Sequence, residues 1–131
     1  MYSAISNSGG GQRVSLFSDA GQRDEIGMMT VLSRRETLRI TDIKSCGRSR
    51  YKGIGTALVD IADRIRESAG LSSLSLISID DGASIFFYKN GFRFAGEGQD
   101  EKNFEMGKHI SDPGSSFPDD VMLSGDMERR A

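Results

Sequence analysis

The sequence predicts a mixed α/β (α+β) domain: a mostly antiparallel sheet with one main helix and one short helix. Three observations lead there. Thr37 to Lys44 alternates apolar and polar residues with the period of a strand. Ile54, Ala57, Leu58, Ile61, Ala62, Ile65 and Ala69 recur at three- and four-residue steps, the stripe of an amphipathic helix. Leu74 to Ile79 is a short run of apolar residues and serines that suits a central strand covered on both faces.

The remaining elements follow along the chain. Residues 1–12 end in Ser8-Gly9-Gly10-Gly11-Gln12 and read as a flexible lead or a turn, with Tyr2 to Ile5 offering a short edge strand. Val14 to Phe17 is a strand candidate, and Asp19-Ala20-Gly21-Gln22 a turn. Ile26 to Leu32 is apolar and reads as a strand, although Met28 and Met29 leave a helix open. Ser33 to Glu36 is the next turn. On the strand Thr37–Lys44, simple alternation puts Leu38, Ile40 and Asp42 on one face and Arg39, Thr41 and Ile43 on the other. An acid there is either a charge at the end of a core face or a placed functional group. In the main helix Asp60, Asp63, Arg64, Arg66 and Glu67 fall mostly off the apolar stripe, and Gly70 stands where a left-handed residue ends a helix. Ala83 to Asn90 reads as a short helix closed by Gly91. Phe92 to Phe94 and Phe104 to Met106 both alternate and flank the loop Gly96 to Asn103, which predicts a hairpin. Residues 111–131, with Asp112-Pro113-Gly114-Ser115-Ser116 and an acidic stretch, read as a disordered tail. The ordered domain is thus expected over 13–110.

The 131 residues suffice for one domain and carry a formal net charge of -2. That balance argues against a nucleic-acid partner, which favours a basic excess. Cys46 and His109 are the single cysteine and the single histidine, so a disulfide framework, a Cys-based zinc site and a histidine cluster are excluded, and no metal is expected. No apolar run reaches the roughly 18 residues of a membrane span, and the N-terminus lacks a basic segment followed by an apolar one. A cytoplasmic protein without a membrane partner is the reading.

Chemistry concentrates between Leu38 and Leu58. A strand runs into a short loop, and Gly53 and Gly55 open a helix. The first helical N–H groups lack intrahelical partners and the macrodipole adds partial positive charge, so this is an anion site in form. Lys44, Arg48, Arg50 and Lys52 add basic side chains nearby. A glycine-rich turn with a solvated basic rim would look the same. A P-loop is ruled out because Gly55-Thr56-Ala57 lacks the lysine. A dinucleotide fingerprint fails because Leu58 stands where the third glycine belongs.

Arg50-Tyr51-Lys52-Gly53-Ile54-Gly55 resembles the acetyl-CoA signature R/Q-x-x-G-x-G/A of the GNAT acetyltransferase superfamily. Ala83-Ser84-Ile85-Phe86-Phe87-Tyr88-Lys89-Asn90-Gly91-Phe92 resembles that family's A-x-x-F-Y-x-K-x-G-F helix. The resemblance runs from about Leu38 to Met106, with one helix and one strand between the two blocks as in the family. It implies a GNAT-like sheet and an enzyme that transfers an acetyl group from acetyl-CoA to an amine. The implied cofactor set is Ile43, Lys44 and Ser45 for the pantetheine arm, where that strand splays from Leu74–Ile79. Arg50, Tyr51, Lys52, Gly53, Ile54, Gly55 and Thr56 would hold the pyrophosphate, and Phe87 would lie beside the cofactor. Asp42 is the implied base, and Tyr88 the implied acid for the leaving thiolate.

Two departures matter. Aligned without gaps, the family tyrosine falls on Phe87, and Tyr88, one residue on, is rotated by roughly 100°. The family also places a strand and two helices ahead of the segment Ile26–Lys44, whereas the residues here look strand-like. An open site of that kind suits a protein lysine or N-terminus as acceptor, and compact members are known among modifiers of host proteins, so delivery into a host cell is an alternative location. A homodimer could complete the acceptor side. The competing reading is a non-catalytic acyl-CoA-binding or protein-interaction module.

Overall fold

The computed structural model describes residues 1–45, 53–96, 98–114, 117–118 and 123–130. Among them lie seven strands and three helices, in two compact units, Met1–Leu74 and Ser75–Arg130.

The first unit begins with four strands, β1 (Tyr2–Ser8), β2 (Gly11–Phe17), β3 (Glu25–Arg34) and β4 (Thr37–Ser45), each antiparallel to the next. The opening residues are therefore a hairpin strand and not a loose lead. The Gly9-Gly10 turn explains it: both residues have positive φ, 53° and 87°, the geometry whose twist matches a two-residue hairpin. Helix α1 (Ile54–Ser68) packs on β3 and β4. Val14, Leu16, Met29, Val31, Leu38 and Ile40 of the sheet and Ile54, Leu58 and Ala62 of the helix are all buried. Arg66, expected off the apolar stripe, is 9% exposed. Its Nε donates to Asp63 at 2.8 Å and its Nη1 to the Leu71 carbonyl at 2.8 Å, so burial leaves no unpaired charge. Gly70 ends α1 as anticipated: φ is 71°, Gly70 N–H donates to Glu67 O, and Leu71 N–H to Arg66 O.

One irregularity in β4 corrects the expected faces. Val31 pairs with Ile40, but Thr30 pairs with Asp42, so Thr41 is an extra residue. An inserted residue exchanges the two faces of everything beyond it. Ile43, opposite Met29, thereby joins Leu38 and Ile40, while Asp42 turns to the other face and is exposed.

The second unit contains most of β5 (Ser73–Ser78), then α2 (Asp81–Lys89), β6 (Arg93–Phe94), α3 (Asp100–Ser111) and β7 (Gly125–Arg130). Its strands lie in the order β5-β7-β6. The predicted hairpin does not form. Phe104 to Met106 is helical, in α3, where Asp100 and Glu101 stand in the first turn and Lys108 and His109 in the last, a charge order that suits the macrodipole. The partner of β6 is instead β7, with Phe94 opposite Met127. That strand lies in the stretch expected to be disordered. Met127 is 1% exposed, and burying it gives the strand its reason to form.

Candidate functional site

The N-terminus of α1 is unusual in what it lacks. Gly53 precedes it in the left-handed region (φ 82°, ψ 11°), among the described residues no side chain caps it, and no acid stands in its first turn. A side chain at Gly53 would be strained by that φ, which accounts for the glycine. The first intrahelical bond is Ala57 N–H to Gly53 O at 2.9 Å. Ile54, Gly55 and Thr56 thus offer N–H groups without intrahelical partners, on the positive end of the helix. Arg50, Tyr51 and Lys52, the rest of the expected loop, lie outside the described residues, as do Cys46 and Arg48.

What seats this helix end is Gly27 of β3. A Cβ built there would fall 2.6 Å from Cγ2 of Ile54 and 3.4 Å from Cδ1 of Leu58. Gly27 also pairs with Ser45, the last residue of β4. The end of β4 and the start of α1 therefore meet at one glycine. Sequence reasoning missed it, although a glycine inside the apolar run Ile26–Leu32 is a known sign of close backbone approach. Of the residues expected along the pantetheine arm, Ile43 is half-buried, and Lys44 and Ser45 are exposed. Asp42 stands opposite Thr30, whose hydroxyl is 2.7 Å from that of Thr41.

In the second unit, α2 begins with its own anion in place: Asp80 Oδ1 accepts the Ala83 N–H at 2.7 Å. This gives Asp80 a structural task. Phe87 is 6% exposed and packs edge-to-face with Phe86 and Phe92, ring centroids 5.1 and 5.5 Å away. Tyr88 is half-buried. Arg93 stacks on its ring at 3.6 Å from the centroid, and donates to the Tyr88 and Phe92 carbonyls. The Tyr88 hydroxyl lies against α3, 3.2 Å from where a Cβ on Gly107 would sit. Neither Arg93 nor Gly107 carried a sequence signal for this role.

An open cleft of about 450 Å³ in the first unit is lined by Asn7, Gly10, Gln12, Val31, Ser33 and Leu38 among others. None of the described residues that line it is ionisable. Among the described residues no three His, Cys, Asp or Glu side chains are grouped to hold a metal, and no helix is long and apolar enough to cross a membrane.

No family model and no curated protein sequence matches the chain. Solved structures do. The PaiA N-acetyltransferase of Thermoplasma acidophilum, in complex with coenzyme A, is 18% identical with a TM-score of 0.59, over 91% of this chain and 60% of that one. The Bacillus subtilis acetyltransferase in complex with CoA is 16% identical with a TM-score of 0.63, over 93% and 78%. A GNAT-family acetyltransferase of Staphylococcus aureus is 19% identical with a TM-score of 0.61, over 92% and 68%. The fold is thus that of the GNAT acetyltransferases, a mixed α+β fold. The chain spans 60% of the length of the Thermoplasma protein.

Proposed function

We propose that this protein transfers an acetyl group from acetyl-CoA to an amine, with a lysine or the N-terminus of a protein as acceptor. The observation that carries the reading is the uncapped, glycine-opened N-terminus of α1 in a chain with a GNAT fold. In this reading the N–H groups of Ile54, Gly55 and Thr56 bind the pyrophosphate of the substrate, with Arg50, Tyr51 and Lys52 adding charge and contact. Ile43, Lys44 and Ser45 lie along the pantetheine arm, and Phe87 supports the same ligand from within α2. Asp42 takes the proton from the amine, and Tyr88 gives one to the departing thiolate. A homodimer and a cytoplasmic location belong to the same proposal.

A second reading, an acyl-CoA-binding module without turnover, is favoured by Tyr88, whose hydroxyl lies against Gly107. Release of free thiol from acetyl-CoA in the presence of protein acceptors separates the two. Turnover with wild type, falling by 10²–10⁴ in Tyr88→Phe as is typical for a lost acid–base group, supports the enzyme and its acid. Acetyl-CoA that raises the melting temperature with no acceptor ever consumed supports the module. No melting shift at high concentration removes both.

A further inference from the structure

The fold treats its two outer strands differently. In the second unit, β6 is closed off. The Asn103 side chain accepts from the Phe94 N–H at 2.9 Å and donates to the Phe94 carbonyl at 3.2 Å. One amide thus occupies both backbone groups that Phe94 turns away from β7. In the first unit, β1 has no such cover: it pairs with β2, and among the described residues nothing pairs with its outer side.

The outward groups of β1 follow from its register. Ser8 and Gly11 flank the two-residue turn and form a hydrogen-bonded pair, and such pairs alternate along an antiparallel ladder. Residues 2, 4, 6 and 8 therefore spend their backbone groups on β2. Ser3, Ile5 and Asn7 turn theirs outward. Natural edges are blunted by lysine, proline or a bulge. Tyr2-Ser3-Ala4-Ile5-Ser6-Asn7-Ser8 has no charge and no proline, and its pairing with β2 is continuous. Tyr2 and Ile5 are each 50% exposed.

We propose that β1 is a self-association edge, occupied by β1 of a second copy of this chain in antiparallel register. Centred on Ile5, the pairing is self-complementary. Ile5 meets its own counterpart across the two-fold axis, Ser3 meets Asn7, and no like charges face each other. The three outward residues of each copy give about six hydrogen bonds, and the Ile5 side chains cover one another on one face. An interface built on one strand is small, so the dimer dissociates on dilution. This inference gives the proposed homodimer its surface, and it stands or falls independently of acetyl transfer.

Sedimentation of the full chain from about 1 to 500 µM tests it. Ile5→Pro removes an outward N–H and no bond to β2, so it leaves the hairpin ladder intact. Ile5→Lys places two like charges on the axis. The expected result is a concentration-dependent wild-type dimer, and monomers for both variants at every concentration, with Ile5→Lys keeping the wild-type melting temperature. A wild type that stays monomeric throughout overturns the proposal. So does a dimer that survives Ile5→Lys.

Discussion

The two helices α1 and α2 end alike and begin in opposite ways. Both close with a left-handed glycine, Gly70 and Gly91, and the same pair of reversed hydrogen bonds. At its start α2 carries its own anions: Asp80 caps it and Asp81 stands in the first turn. Helix α1 follows a glycine and, among the described residues, has no side-chain cap and no acid in its first turn. Free N–H groups at a helix start are costly unless something accepts from them. A helix that satisfies them internally is a structural element. One with no such anion among the described residues, while its first side chain, Ile54, is locked onto the sheet, fits the proposal that an anion is received from outside.

The strongest way to break that contrast is to fill the open end. Gly53→Asp combined with Gly55→Asp should lower affinity for coenzyme A by roughly 100-fold or more, through bulk and like-charge repulsion against the pyrophosphate. Calorimetric titration of the folded variant checks it, and affinity within about threefold of wild type removes α1 as the anion site. Next in size is the seat. Gly27→Val overpacks the contact with Ile54 and should cost about 1–3 kcal/mol in urea unfolding. Coenzyme A binding should weaken with it, because the helix start is displaced. Unchanged stability would mean that α1 adjusts freely and that Gly27 is not its seat. The smallest effect is expected at the closed end. Asp80→Ala should lose about 1 kcal/mol of stability with coenzyme A affinity unaltered. A fall in affinity there would show that the two helix starts are not functionally distinct.

The elements that frame the candidate site were legible in the sequence because they are local. The α1 stripe, the glycines before it and the Gly70 stop all act over a few residues, where spacing and chemistry coincide. The faces of β4 were not legible. Alternation from Leu38 assigns Asp42 to the core side, and one bulged residue, Thr41, reverses it. A bulge arises from pairing with β3, which strict alternation cannot register. The expected hairpin failed for a related reason. Phe104-Glu105-Met106 is too short a pattern to choose between periods, and Met106, buried in α3 at 0% exposure, serves the helical one.

By itself, then, the amino-acid sequence determined the α1 stripe, its glycine stop and the glycine that precedes it, because each rests on contacts between residues close in the chain. Tertiary structure decided which residues those elements serve. It set Ile54 on Gly27, placed Tyr88 between Arg93 and Gly107, matched β6 with β7, and closed β6 with Asn103. Those outcomes depend on which distant surfaces are buried together, and burial is a property of the folded chain and not of any short stretch of it.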